Sequence, residues 1–136
     1  MEHGYITVAS AIPSVKVADP DFNIKHMESL IAQAEGKGVE IIVFPELSVT
    51  GYTCQDLFAQ QTLLDVAEMK VMQLLDFSRK LDIIAVIGAP VCVGSALYNC
   101  AIVCQHGSIL GIVPKRFLPN YAEFYEKRWF ASSDDI

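Results

Sequence analysis

The sequence predicts an α/β fold with a mixed sheet, arranged as two packed sheets flanked by helices. Three observations lead there. The first half of the chain reads strand, helix, strand, helix, strand, and such units imply parallel strands with right-handed crossovers. The pattern then changes to two strands joined only by His106-Gly107, which reads as an antiparallel hairpin. Finally, strand 97–105 is apolar on both faces, with Cys100, Ile102 and Cys104 on one and Ala101 and Val103 on the other. A strand dressed that way needs cover on both sides.

The elements follow in order. Residues 5–12 form the first strand, ended by Pro13. Asp19-Pro20 carries a helix-start signature, a side-chain acceptor followed by proline at the first helical position. Met27, Leu30, Ile31 and Ala34 then recur as one helical face, and Gly36 and Gly38 close the helix. Residues 39–44 read as a strand buried on both faces, stopped by Pro45, which cannot continue a central ladder. Residues 48–60 are a loop, tight at Gly51, with a short helical turn around 55–58. Leu64, Ala67, Val71, Leu74, Leu75 and Ser78 mark a second helix. Residues 83–87 are the third strand, ending at Gly88-Ala89-Pro90, and residues 91–94 read as a turn. The hairpin strands are 97–105 and 109–113, and residues 114–130 have no regular period.

Composition narrows the function. The 136 residues fit one domain, and 52% of them are hydrophobic. That proportion favours a large core or surfaces meant to be covered. The net charge of −6, without a Lys/Arg cluster, argues against nucleic acid or an anionic membrane as partner. No apolar run approaches the ~20 residues of a membrane span. The N-terminal Met1-Glu2-His3-Gly4 lacks the basic region of a secretory signal, so a cytoplasmic location is the default expectation. Cys54, Cys92, Cys100 and Cys104 contain no Cys-x-x-Cys pair, so they read as free thiols rather than a zinc site.

Two stretches carry chemistry. Glu46, in FPELSVTGY, follows an apolar strand at its C-terminal rim, where open α/β sheets bind ligands. Taken alone it also reads as a solvated loop glutamate. Lys115 likewise follows a strand and opens PKRFLPNYAEFYEKRWF, a proline-stiffened loop rich in aromatics and charges. Alone, that loop also reads as solvated surface.

Together the two stretches resemble the nitrilase, or carbon–nitrogen hydrolase, superfamily. Within it the resemblance is to the N-terminal glutaminase domains of glutamine-dependent NAD+ synthetases. TGYTCQDLF (50–58) is similar to their glutamate loop, and NYAEFYEKRWF (120–130) to their lysine loop. The resemblance implies a Glu-Lys-Cys triad on a nitrilase-like α-β-β-α sandwich with mixed sheets, of which this chain would be the N-terminal part. Glu46 matches the general base and Lys115 the oxyanion-stabilising lysine. Glu123, eight residues after Lys115, matches a second glutamate that orients the site. Tyr121 matches a tyrosine of the glutamine pocket, and Tyr52 lies in the glutamate loop.

The family's nucleophilic cysteine lies beyond the lysine loop, and none of the four cysteines before it can inherit that role. Residues 1–136 are therefore expected to be a partial glutaminase domain, inactive alone, with no synthetase domain. Glutamine is the implied substrate. The glutaminase part needs no metal or other cofactor, and ATP and Mg2+ belong to the synthetase domain. The family's dimers imply a homo-oligomer. Two other readings remain open here: an amidase, nitrilase or carbamoylase acting on another small amide, and a non-catalytic nitrilase-like assembly module.

Overall fold

A computed structural model describes residues 4–121 and 124–136. Its framework is a five-stranded mixed sheet in the order β1-β2-β3-β4-β5. Strands β1 (Val8–Ser10), β2 (Ile41–Val43) and β3 (Ile84–Val93) are parallel. Strands β4 (Ala96–Gln105) and β5 (Ser108–Pro114) follow antiparallel. Helices α1 (Pro20–Gly36) and α2 (Gln61–Phe77) supply the crossovers. At the start of α1 the Asp19 side chain accepts the Phe22 N–H at 3.1 Å. This cap satisfies a backbone donor that the helix itself leaves unpaired.

The core lies between the helices and one sheet face. Ile24, Met27 and Ile31 of α1 and Ala67, Val71 and Leu74 of α2 pack on Ile42, Ala85, Ile87, Ile102 and Cys104. These five sheet residues are register partners, so they share one face. The opposite face carries Val8, Val43, Val86, Ala101, Val103 and Val113. Here Val8 is 62%, Val43 43% and Val113 60% exposed. The chain thus supplies one helix layer and one sheet of the anticipated sandwich. The apolar second face of β4 is present, but its cover is not found among the described residues.

Three strand readings change. The first strand is three residues long, not the whole of 5–12. β2 is buried on one face only, through Ile42. β3 continues through Pro90 to Val93 and forms a second hairpin with β4. Proline is tolerated there because β2 pairs with β3 only as far as Val86, leaving β4 as the strand neighbour at Pro90. At the β4–β5 turn, His106 (φ 53°) and Gly107 (φ 80°) both adopt left-handed backbone, as a two-residue hairpin loop requires.

Candidate active site

Glu46 sits on a turn that begins where β2 stops. Pro45 ends the ladder, and the chain folds back over β3. Leu47 holds φ at 52° while fully buried, a costly backbone geometry that neighbouring structure must impose. The imposing contacts are clear. Val49 N–H donates to Gly88 O at 2.9 Å, and Gly88 N–H donates to Ser48 Oγ at 3.1 Å. Gly88 has no side chain because there is no space for one: a Cβ there would stand 2.4 Å from Leu47 N. Buried Asn23 secures the turn from α1, its amide donating to Val49 O and Lys16 O at 2.9 Å each.

Lys115 follows β5 on the same rim. Its backbone N–H donates to Asn99 O on β4 at 2.8 Å. Its ammonium donates to Glu46 Oε1 at 2.6 Å and to Glu126 Oε1 at 2.9 Å. The Glu126 side chain is only 2% exposed, whereas that of Glu46 is 42% exposed. Burial by itself lowers the Lys115 pKa. Hydrogen bonds to Glu46 and Glu126, together with their charges, outweigh it and hold the pKa above the ordinary lysine value. Lys115 therefore stays cationic, as an oxyanion stabiliser must.

The loops bearing Glu46 and Glu126 share a small apolar cluster of Leu47, Cys54, Phe58, Leu63 and Phe130. Phe58 lies 4.9 Å from Phe130 between ring centroids. Asp56 closes the junction from outside, accepting Arg128 Nε at 2.8 Å and Trp129 Nε1 at 3.1 Å. Beside the pair lies a concavity of about 360 Å³, bordered by Val43, Glu46, Gly88, Asn99, Ala101 and Lys115.

The site thus holds a half-exposed carboxylate, a cation fixed against it, a buried second carboxylate and adjoining space. It can accept a proton and stabilise an oxyanion. It lacks an activated nucleophile among its own thiols. Burial raises the Cys54 pKa, and burial together with Glu68 and Asp65 raises that of Cys92. Burial pushes Cys100 and Cys104 up to about 11. Reactive cysteines need the opposite shift.

Residues 7–136 match the carbon-nitrogen hydrolase family. The chain belongs to that family. It is 36% identical over 133 residues to the glutamine-dependent NAD(+) synthetase of Mycobacterium tuberculosis strain H37Rv, covering 98% of this chain and 20% of that protein. The chain thus spans about a fifth of the length of this relative. The crystal structure of a glutamine-dependent NAD(+) synthetase from Cytophaga hutchinsonii superposes with a TM-score of 0.88 at 31% identity, over 93% of this chain and 22% of that one. An amidase from Nesterenkonia sp. shares the fold at a TM-score of 0.79 and 22% identity, over 98% of this chain and 50% of its own.

The structure brings Glu46 and Lys115 together, although 69 positions separate them. Glu123 lies outside the described residues. Besides Glu46, Lys115 contacts the carboxylate of Glu126, eleven positions on. The turn Glu126–Arg128 directs this carboxylate inward. Tyr121 is 69% exposed and packs edge-on to Phe124 at 5.7 Å, away from the lining of the concavity. Tyr52 is not on that lining either. It is close enough that burial, then the Glu126 and Glu46 charges, raise its hydroxyl pKa. Sequence reasoning missed Asn99, Glu126 and Gly88. The available signal for Asn99 was an amide in the interior of a strand whose other amide, Gln105, stands at its end.

Proposed function

We propose that residues 1–136 are the N-terminal part of the glutaminase domain of a glutamine-dependent NAD+ synthetase. The observation that carries this reading is the Glu46–Lys115–Glu126 cluster beside an accessible concavity. In the intact protein a cysteine from outside this chain attacks the glutamine side-chain amide. Glu46 takes the thiol proton, and Lys115 neutralises the oxyanion of the tetrahedral intermediate. Collapse to a thioester passes that proton to the leaving nitrogen and releases ammonia. Glu46 then activates water to free glutamate and the thiol. Ammonia serves the ATP-dependent amidation of a nicotinate adenine dinucleotide in a separate synthetase domain, where ATP and Mg2+ act. The glutaminase step uses no cofactor. The four free thiols agree with a cytoplasmic location. No described helix is long and apolar enough to cross a membrane.

The test is ammonia release from glutamine. The 136-residue chain gives none above buffer, and the chain joined to the remainder of its hydrolase domain gives sustained turnover. Turnover by the short chain that disappears on Cys54→Ala would mean that the nucleophile lies within it.

We also propose that the chain self-associates, as a homo-oligomer. The uncovered valine face and the open edge of β5, where Leu110 is 57% exposed, are surfaces that drive association. Light scattering at milligram concentrations gives a mass above the 15.0 kDa monomer. A monomer at every concentration contradicts the proposal.

A further inference from the structure

Glu46 receives two donors, and both reach the same oxygen. Lys115 Nζ and Asn99 Nδ2 each lie 2.6 Å from Oε1. Among the described residues no donor reaches Oε2. A carboxylate held at one oxygen by two donors from different directions cannot rotate freely about its terminal bond. Oε2 is then the oxygen left to accept a proton. Asn99 is itself 4% exposed, on β4 opposite Pro90 of β3, so its amide is fixed by the sheet. The same residue's backbone oxygen accepts the Lys115 N–H at 2.8 Å. One residue therefore sets the base through its side chain and the cation through its main chain. The donor is also uncharged. A second cation there would compete with Lys115 for Glu46, and an acceptor would repel it.

We propose that Asn99 is the positioning residue of this site. It locks Glu46 by Oε1, leaves Oε2 to take the thiol proton, and indexes Lys115 to the same strand. The inference rests on the glutaminase reading above.

The experiment compares Asn99→Leu and Asn99→Asp in the complete hydrolase domain, with Glu46→Gln alongside, using glutamine as substrate. Losing the lock misplaces the base while the rest of the concavity's lining stays in place. Asn99→Leu should therefore lower kcat by about 10- to 100-fold, with KM changed less than about twofold. Asn99→Asp keeps the shape and backbone contacts but sets an acceptor against Glu46 Oε1 at a buried position, so both its kcat and its melting temperature fall further than those of Asn99→Leu. Asn99→Leu at wild-type kcat, with Glu46→Gln inactive, overturns the Asn99 role and leaves the glutaminase reading intact. An active Glu46→Gln overturns that reading instead. If both Asn99 variants fail to fold, or raise KM while sparing kcat, Asn99 belongs to the framework or to substrate binding, and the proposal is wrong.

Discussion

Lys115→Met destabilises the chain by about 3 kcal/mol at neutral pH, and adding Glu126→Leu restores most of the loss. The reasoning starts from burial. Glu126 is 2% exposed at its side chain, and its carboxylate's hydrogen-bond partner is Lys115, at 2.9 and 3.3 Å to its two oxygens. Removing the ammonium leaves a buried carboxylate without a counter-charge, which typically costs ~3–5 kcal/mol. The low end applies because Lys115 is itself 29% exposed. Glu46 also loses its cation, but it is well solvated and that loss is small. Replacing both members of the buried pair by apolar residues removes the orphan, so the double variant recovers to within ~1 kcal/mol of wild type. Urea unfolding of the wild type, the single variants and the double variant measures this as a cycle. Additive single effects, with no recovery in the double variant, contradict it.

Gly88→Ala has the other large effect. A methyl group there meets Leu47 N at 2.4 Å, Pro45 O at 2.9 Å and the Glu46 carbonyl carbon at 3.1 Å. All three are backbone atoms, so no side-chain rotation relieves the clash. The turn must lift from β3, stretching the Val49 N–H bond to Gly88 O and disturbing the left-handed Leu47. Overpacking of this kind costs ~1–3 kcal/mol, and the absence of a flexible neighbour puts it at the top of that range. Glu46 moves with the turn. A displacement of about 1 Å costs ~100-fold in rate in the complete domain. Gly111→Ala is the control, because a methyl group on that β5 glycine meets nothing within 4 Å. Equal urea midpoints for the two variants contradict the steric argument.

How far the sequence foretold this depends on the kind of signal each residue carried. The helices were legible because Asp19-Pro20 and the apolar spacing of Ile31, Ala34, Val71 and Leu74 are local patterns. The β4–β5 hairpin was legible for the same reason, at His106-Gly107. The reach of β3 past Pro90 was not. It depends on which neighbours flank the proline, and that is a property of the sheet. Glu46 and Lys115 could be singled out because each follows an apolar strand. That the strands end on one rim is tertiary information. Glu126 stands in an aperiodic loop, where no sequence period shows that turn geometry brings its carboxylate to Lys115. Asn99 and Gly88 carry no charge or motif. They matter through what they touch.

The most direct test of the central claim is ammonia release from glutamine by the complete hydrolase domain carrying Glu46→Gln. Glutamine at that position keeps the shape and the contact with Lys115 but cannot take the thiol proton. Turnover falls by at least ~100-fold, within the range attributed to a positioned general base, while the melting temperature stays near that of the wild type. Turnover within a few-fold of wild type in a folded Glu46→Gln domain would contradict the account, because proton transfer would then be running through some other group.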